Sequence, residues 1–355
     1  MPSLALAPGA LADEAASAFY QWPLPACIWP AIDRLYHSSF CSQPHLRIYG
    51  SFDTHTCVWV SRNQGVIDAV VLFNIRHNKV RVINEMIQLP TTHLAAFAQA
   101  VFAHYKKTSV IKLHALASEH AALAYPACTG RFSEDYVLAL PAAMTDYLAG
   151  LSRQMREKIR RCQRRVARQM PALQVRVLRE DAIQNAQIEA VINLSRARMA
   201  KQGHRFGMDK EDTQKLAAMV SERGLVVLLE LHGAVCAGCL CSITGNEVFM
   251  HVLAHDPQHD DLRLGLVCCV QAIQSAIDLH CLRFHFLWGY YDYKIRLGGS
   301  YQALNNVLIF KNRFAMMRHP TMLAQLYMNS ARYMLRQWRS RHKRELHVDR
   351  HATSQ

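Results

Sequence analysis

The sequence predicts an α/β (α+β) protein of two domains, each a mixed, largely antiparallel sheet flanked by helices. Three observations lead there. The 355 residues exceed one average domain and suit two. From about Pro44 to Leu140, short apolar runs read as a strand meander followed by α/β elements. After Pro171 a second series runs helix, helix, three-strand meander, loop, helix, strand, strand. The expected divisions are residues 1–143, residues 144–312 opened by a basic helix (144–170), and a basic helical extension over 313–355.

In the first half, strands are expected at Leu46–Tyr49, Thr56–Val60, Val66–Phe73 and Val80–Ile87. A helix (Thr91–Tyr105), a strand (Ser109–Leu113), a short helix (Ser118–Ala124) and a strand (Tyr136–Leu140) follow. Between Met144 and Met170 lies the strongest helical signal. Leu148, Leu151, Met155, Ile159, Cys162, Val166 and Met170 are spaced three and four apart, one apolar stripe on a continuous helix. Its other faces carry Arg153, Arg156, Lys158, Arg160, Arg161, Arg164, Arg165 and Arg168 against a single acid, Glu157. That face is either a solvated surface or a phosphate-binding arm. Pro171 ends it.

Beyond, a strand (Leu173–Leu178) leads to helices over Ala182–Lys201 and Lys210–Glu222, joined by a loop containing Gly203–Gly207. Hairpin turns at His232-Gly233 and Thr244-Gly245-Asn246 separate strands Leu225–Leu231, Ala234–Ile243 and Glu247–Ala254. A polar loop ends at Gly265 and opens a helix, Leu266–Leu279, followed by strands Leu282–Trp288 and Leu304–Phe310. Met322 to Trp338 suggest one more helix before the basic run Arg339–Arg344.

Composition narrows the function classes. About half the residues are apolar, which suits a globular chain. No stretch approaches the ~20 apolar residues that span a bilayer. The first nineteen residues lack a basic region and are broken by Pro8, Gly9, Asp13 and Glu14, which reads as a loose leader on a cytoplasmic protein. Eleven cysteines are scattered without a disulfide framework. The one cluster, Cys236, Cys239 and Cys241, falls on a strand where residues three apart face opposite sides, so buried thiols are expected and no metal. Lys plus Arg exceed Asp plus Glu by 14, and nineteen histidines add to this on acidification. That balance favours anionic partners: cofactor phosphates, a nucleic acid, an acidic carrier protein or a membrane surface.

Three stretches carry a family resemblance. They are Leu151-Ser152-Arg153-Gln154-Met155-Arg156, the Asp256-Pro257 end of a central strand leading to Gly265, and Gly289-Tyr290-Tyr291-Asp292-Tyr293-Lys294 running on to Gly298. In these the chain resembles the FemAB-like and BioF2-like acyltransferases, relatives of the GNAT enzymes built from two GNAT-like domains. The likeness covers about 145–312, and the first half shares only the order of elements. The resemblance implies that Arg263, Leu264, Gly265 and Leu266 receive a cofactor pyrophosphate at a helix start. It implies that Lys294 holds a phosphate or stabilises an oxyanion, where the plain alternative is an exposed turn lysine. Tyr291 and Tyr293 would protonate a leaving group or simply pack. Asp292 would be a general base or an anchor for the substrate's ammonium. His255, with His251 four residues before it, would relay the amine's proton. Arg205 and Phe206 would touch the acceptor from a rim loop.

Acyl transfer from a thioester needs a deprotonated amine, donors for the oxyanion and an acid for the thiolate. The first expectation is therefore an N-acyltransferase moving an acyl group from acyl-CoA or an acyl carrier protein to an amine on a small molecule or peptide. The second is an aminoacyl-tRNA-dependent aminoacyltransferase, as FemAB-type relatives are. The third is a nucleic-acid-binding protein that keeps the scaffold without catalysis. The glycine-poor loop at Arg263–Leu266 leaves the donor open among CoA, an acidic carrier and charged tRNA. The oligomeric state is open as well.

Overall fold

The computed structural model describes residues 16–118 and 123–352, with side chains as far as Arg339. Most of the expected leader, most of the short helix at 118–124 and the side chains of the run beyond Arg339 lie outside them, while the leader's last residues, from Ser17, form a strand. The described residues form two compact units, one up to Ser133 and again from Ala303, the other Glu134–Gln302.

Numbered in chain order, the first unit holds β1 (Ser17–Tyr20), α1 (Ile28–Tyr36), α2 (Gln43–Ile48), β2 (Cys57–Asn63), β3 (Val66–Arg76), β4 (Lys79–Val82), α3 (Thr91–His104) and β5 (Val110–Leu116). It is completed by β12 (Ser300–Phe310), α10 (Arg313–Met317) and α11 (Pro320–Ala352). Strands β1 to β4 form an antiparallel meander, β5 lies parallel to β4, and β12 lies antiparallel to β5.

The second unit repeats this plan. It holds β6 (Ala127–Ala139) from Glu134 onward, the strand's first residues belonging to the first unit, then α4 (Met144–Gly150), α5 (Arg153–Gln169), β7 (Leu173–Arg179), α6 (Asn185–Lys201) and α7 (Lys210–Arg223). Next come β8 (Gly224–Leu231), β9 (Ala234–Thr244), β10 (Glu247–His255), α8 (Leu264–Asp278), β11 (Arg283–His285) and α9 (Asp292–Arg296). Strands β7 to β10 are an antiparallel meander, β11 is parallel to β10, and β6 is antiparallel to β11. Each unit is thus a mixed, largely antiparallel sheet flanked by helices, the GNAT fold. In both, two helices precede the meander's second strand and one helix makes the crossover to the parallel strand.

The sixth strands exchange places. β6 follows β5 in sequence but pairs with β11, and β12 follows β11 but pairs with β5. The compact units therefore end at 133/134 and 302/303, where the expected divisions stood at 143/144 and 312/313. The extension beyond 312 packs with the first unit.

In the second unit α5 and α8 cover one sheet face, and α6 and α7 the other. Met155, Ile159, Cys162 and Val166 are all buried, each apolar side chain contributing about 1.5–3 kcal/mol. The helix expected as continuous over Met144–Met170 is broken. Leu151 and Ser152 are extended, and the Ser152 hydroxyl accepts the Met155 N–H, starting α5 afresh. The Arg156 guanidinium donates to the carbonyls of Ala149 and Leu151 and braces the break. Apolar spacing continues through it because Leu148, Leu151 and Met155 face the same core.

The strand expected at Leu46–Tyr49 is instead the end of α2. Ser42 caps that helix through the His45 N–H, and Pro44 sits in its first turn. Two other strands are shorter than expected. β4 stops at Val82, where Asn84 turns back to accept the Leu72 N–H, and β11 covers only Arg283–His285. The close approach of α6 to β9 needs Gly238, where a Cβ would lie 2.1 Å from Val191 Cγ2.

Candidate active site

The site grows from a divergence of two strands. β10 and β11 pair only over Glu247–Phe249 with Arg283–His285. Beyond Phe249, β10 continues beside β9 as far as His255. Its other edge, Met250–His255, has no strand partner among the described residues, so backbone donors there are available to a ligand. A bulge falls between Met250 and Val252. The His251 ring goes to the Ser242 hydroxyl at 2.8 Å, and burial depresses its pKa to about 4, so it stays neutral. His251 does not line the cavity described next.

After β10, the Asp256 carboxylate accepts the Gln258 N–H and starts a 3₁₀ turn over Pro257–Leu262. Arg263 is left-handed (φ 56°), and no side chain caps the start of α8 that follows. The uncapped helix start carries free N–H groups and a partial positive charge.

A cavity of about 370 Å³ opens here, with Leu253 and His255 of β10, Asp260, Arg263 and the start of α8 in its wall. Met155 and Leu266 supply apolar surface, and Gly265 leaves room. A Cβ on Gly265 would approach His255 Nδ1 to 3.0 Å. The rest of the wall is polar: Lys158, Arg198, Asp292, Tyr293 and Arg296.

Charge in the cavity is unbalanced. Its two carboxylates are already engaged. Asp260 binds Lys201 and His255, each at 2.8 Å, and these hydrogen bonds hold its pKa below the usual carboxylate range. Asp292 pairs with Arg296 at 2.9 Å. Among the described residues, Lys158 and Arg263 form no ion pair, and the buried Nε of Arg198 has no hydrogen-bond partner. An anion would satisfy them.

Two groups suit proton transfer. His255 Nε2 faces Asp260, which orients the ring, while the buried Nδ1 has no hydrogen-bond partner among the described residues and lies beside Gly265. In the neutral tautomer that donates Nε2–H to the carboxylate, Nδ1 carries the lone pair. Burial raises the Tyr293 phenol well above its ordinary pKa, with neighbouring thiols adding to the shift, so it remains a proton donor.

The predicted residues thus divide. His255, Arg263, Gly265, Leu266, Asp292 and Tyr293 meet in one cavity. Leu264 is fully buried in the core. Lys294 is not an exposed turn residue and does not line the cavity. It is 2 % exposed, and its Nζ donates to the carbonyls of Leu287 (2.9 Å) and Trp288 (2.7 Å). Leu287 is left-handed (φ 57°), a costly conformation for a branched side chain that the lysine helps to hold. The Tyr291 ring is half exposed, 5.4 Å from that Nζ. Arg205 is exposed in the loop before α7, and Phe206 packs on the core of α6 and α7 beneath Arg196.

Sequence reading missed Met155, Leu253 and Asp260, the cation Arg198, and the pairing of Arg296 with Asp292. Lys158 belonged to the recognised basic helix, but nothing marked it as the cation of that helix which reaches the cavity. Behind the site, His285 lies between Asp135 (2.6 Å) and Glu247 (2.7 Å), and Glu247 also meets Arg283. Burial disfavours the charged ring, but the two carboxylates outweigh it and raise its pKa to about 9. The thiols of Cys236, Cys239 and Cys241 are buried on β9, and Cys239 and Cys241 lie 3.5 Å apart. Among the described residues no cluster of His, Cys, Asp or Glu is arranged to hold a metal.

Comparisons with known proteins agree with this geometry. Residues 153–295 match the acetyltransferase (GNAT) domain family. No curated protein matches the sequence. Among solved structures, FemX is similar at 10% identity and TM-score 0.59, over 82% of this chain and 97% of that one. L-PGS from Bacillus licheniformis is similar at 11% identity and TM-score 0.53, over 82% and 93%. A conserved protein of unknown function from Bacteroides thetaiotaomicron is similar at 13% identity and TM-score 0.53, over 82% and 99%. At such identities the likeness is one of fold, and it joins the domain match in placing a GNAT-type acyltransferase fold around the cavity.

Proposed function

We propose that the protein is an N-acyltransferase that moves an acyl group from a thioester, on CoA or an acyl carrier protein, to an amine. The observation that carries this reading is the unpaired edge of β10 running into a cavity that also holds the uncapped start of α8 and the Tyr293 phenol. Edge N–H groups of β10 would hold the thioester arm and the developing oxyanion. The start of α8, with Arg263 beside it, would receive a phosphate. His255 brings an imidazole into the cavity wall, and it would take the proton of the attacking amine, oriented by Asp260. Tyr293 would give its proton to the departing thiolate. Asp292 would sit at the rim, paired with Arg296, as an anchor for the substrate.

A second reading has its own support. Arg160, Arg161, Arg164 and Arg168 are exposed along α5, and Lys158 of the same helix reaches the cavity. Such a cationic track would suit the backbone of an aminoacyl-tRNA donor. The two readings separate by donor. The protein is incubated with acyl-CoA, acyl carrier thioester or charged tRNA and a pooled amine library. Amine-dependent thiol release supports the first, and turnover with charged tRNA alone replaces it by the second.

A further inference from the structure

We propose that α11 is an interfacial helix that lays one face on an anionic lipid surface. The helix has three distinct faces. One is packed: Met322, Leu323 and Leu326 join the cluster formed by Val110, Cys128, Leu308 and Phe310. Ser330, one turn further on, accepts the Arg131 N–H through its hydroxyl at 3.0 Å. These contacts fix the rotation of the helix, so the side chains opposite have defined directions.

The second face is apolar and exposed to solvent. Met328, Met334, Leu335 and Trp338 are exposed by 51, 61, 46 and 55 %. At about 100° per residue they fall within one arc of roughly 120°, outside the packed arc. The third face adjoins it: Arg332, Arg336 and Arg339 occupy the next arc of roughly 60°. A surface that exposes Trp, Met and Leu beside a row of arginines fits the boundary between headgroups and acyl chains.

Charge selects the occupant. From Lys311 to Arg344 the sequence contains no acidic residue. A second copy of this helix would set arginine against arginine, so self-association on this face is disfavoured. An anionic bilayer answers both the apolar arc and the cations. None of the described helices is long and apolar enough to cross a membrane, so contact of this kind is peripheral.

The test uses the full chain and vesicles of phosphatidylcholine, alone or with one quarter phosphatidylglycerol, read by co-sedimentation. Binding is expected with the anionic vesicles. The double variant Met334→Ser/Trp338→Ser keeps every charge and should bind at least about tenfold less. Arg332→Gln/Arg336→Gln should lose about 25-fold, roughly fivefold per arginine. All four side chains are exposed, so the Tm should stay at the wild-type value and certify the fold. Three results overturn the proposal. The wild type does not bind, or the serine variant binds as tightly as the wild type through bulk charge. In the third, light scattering shows an oligomer that the serine variant dissociates while vesicles leave the wild type unbound.

Discussion

Replacing Gly265 by alanine probes the junction of β10 and α8 with a single methyl group. The added Cβ would meet His255 Nδ1 at 3.0 Å and the ring carbons Cε1 and Cγ at 3.7 Å. Ordinary contact begins near 3.4 Å, so the ring must give by about 0.4 Å. That displacement acts on the 2.8 Å hydrogen bond from His255 to Asp260 and stretches it to roughly 3.2 Å. The fold should tolerate the change. Alanine is better than glycine inside a helix by about 0.5–1 kcal/mol, which offsets much of the cost of the tight contact. Stability should therefore change by less than about 1 kcal/mol, a Tm shift of a few degrees. Turnover should fall about 10- to 100-fold, because misplacement of a base by a fraction of an ångström is amplified in the transition state. Amine-dependent thiol release from an acyl thioester reads this directly. In a double-mutant cycle, Gly265→Ala should cost nothing further once His255 is alanine. Full activity in Gly265→Ala, or an undiminished additional loss on top of His255→Ala, would refute a role for His255 set by this glycine.

Three further tests address the surroundings. Tyr293→Phe keeps the packing of the ring and removes its proton. It should lower kcat about 100-fold with a Tm within a few degrees, and unchanged kcat would remove Tyr293 as the acid. Lys294→Met leaves the Leu287 and Trp288 carbonyls without their donor and should cost about 1–3 kcal/mol in urea unfolding. An undiminished stability with lost activity would return Lys294 to the reacting atoms, where the family resemblance had put it. For His285→Gln the expectation concerns pH. Its ring titrates near 9 in the folded protein against 6.5 when free, so its charge stabilises fully below pH 6.5 and this is lost as pH rises through about 9. The stability gap between wild type and variant should be constant up to pH 6.5 and narrow from there to 9. A gap independent of pH would show that the ring is not held charged between Asp135 and Glu247.

Much of this architecture was readable from periodicity. The stripe from Met155 to Met170, the hairpins around Gly233 and Gly245 and the helix after Gly265 follow from local spacing and turn chemistry, and they position half of the site. What spacing could not show is instructive. Leu148, Leu151 and Met155 keep helical spacing across a real break, because a capped restart can preserve the phase of a stripe. At Leu46–Tyr49 a run with strand-like residues is a helix, since the Ser42 cap and Pro44 outweigh intrinsic preference. Lys294 reads as holding a phosphate or an oxyanion, or else as an exposed turn lysine, yet the positive φ of Leu287 gives its ammonium two inward carbonyls to bind. The exchange of β6 and β12 leaves no local trace, because strand pairing across more than a hundred residues is decided by the whole sheet. Arg198 and Asp260 lie far apart in sequence from the Tyr-Asp-Tyr-Lys segment, and only the crossing of α6 and the β10–α8 connection brings them to it.

The central claim is that the diverging β10 edge and Tyr293 serve transfer from a thioester to an amine. The most direct measurement is single-turnover thiol release by the wild type and Tyr293→Phe, with acyl-CoA, acyl carrier thioester and charged tRNA run in parallel. The account expects amine-dependent release from a thioester donor that falls about 100-fold in Tyr293→Phe. Transfer from charged tRNA alone, or thioester turnover indifferent to the loss of the Tyr293 hydroxyl, would contradict it.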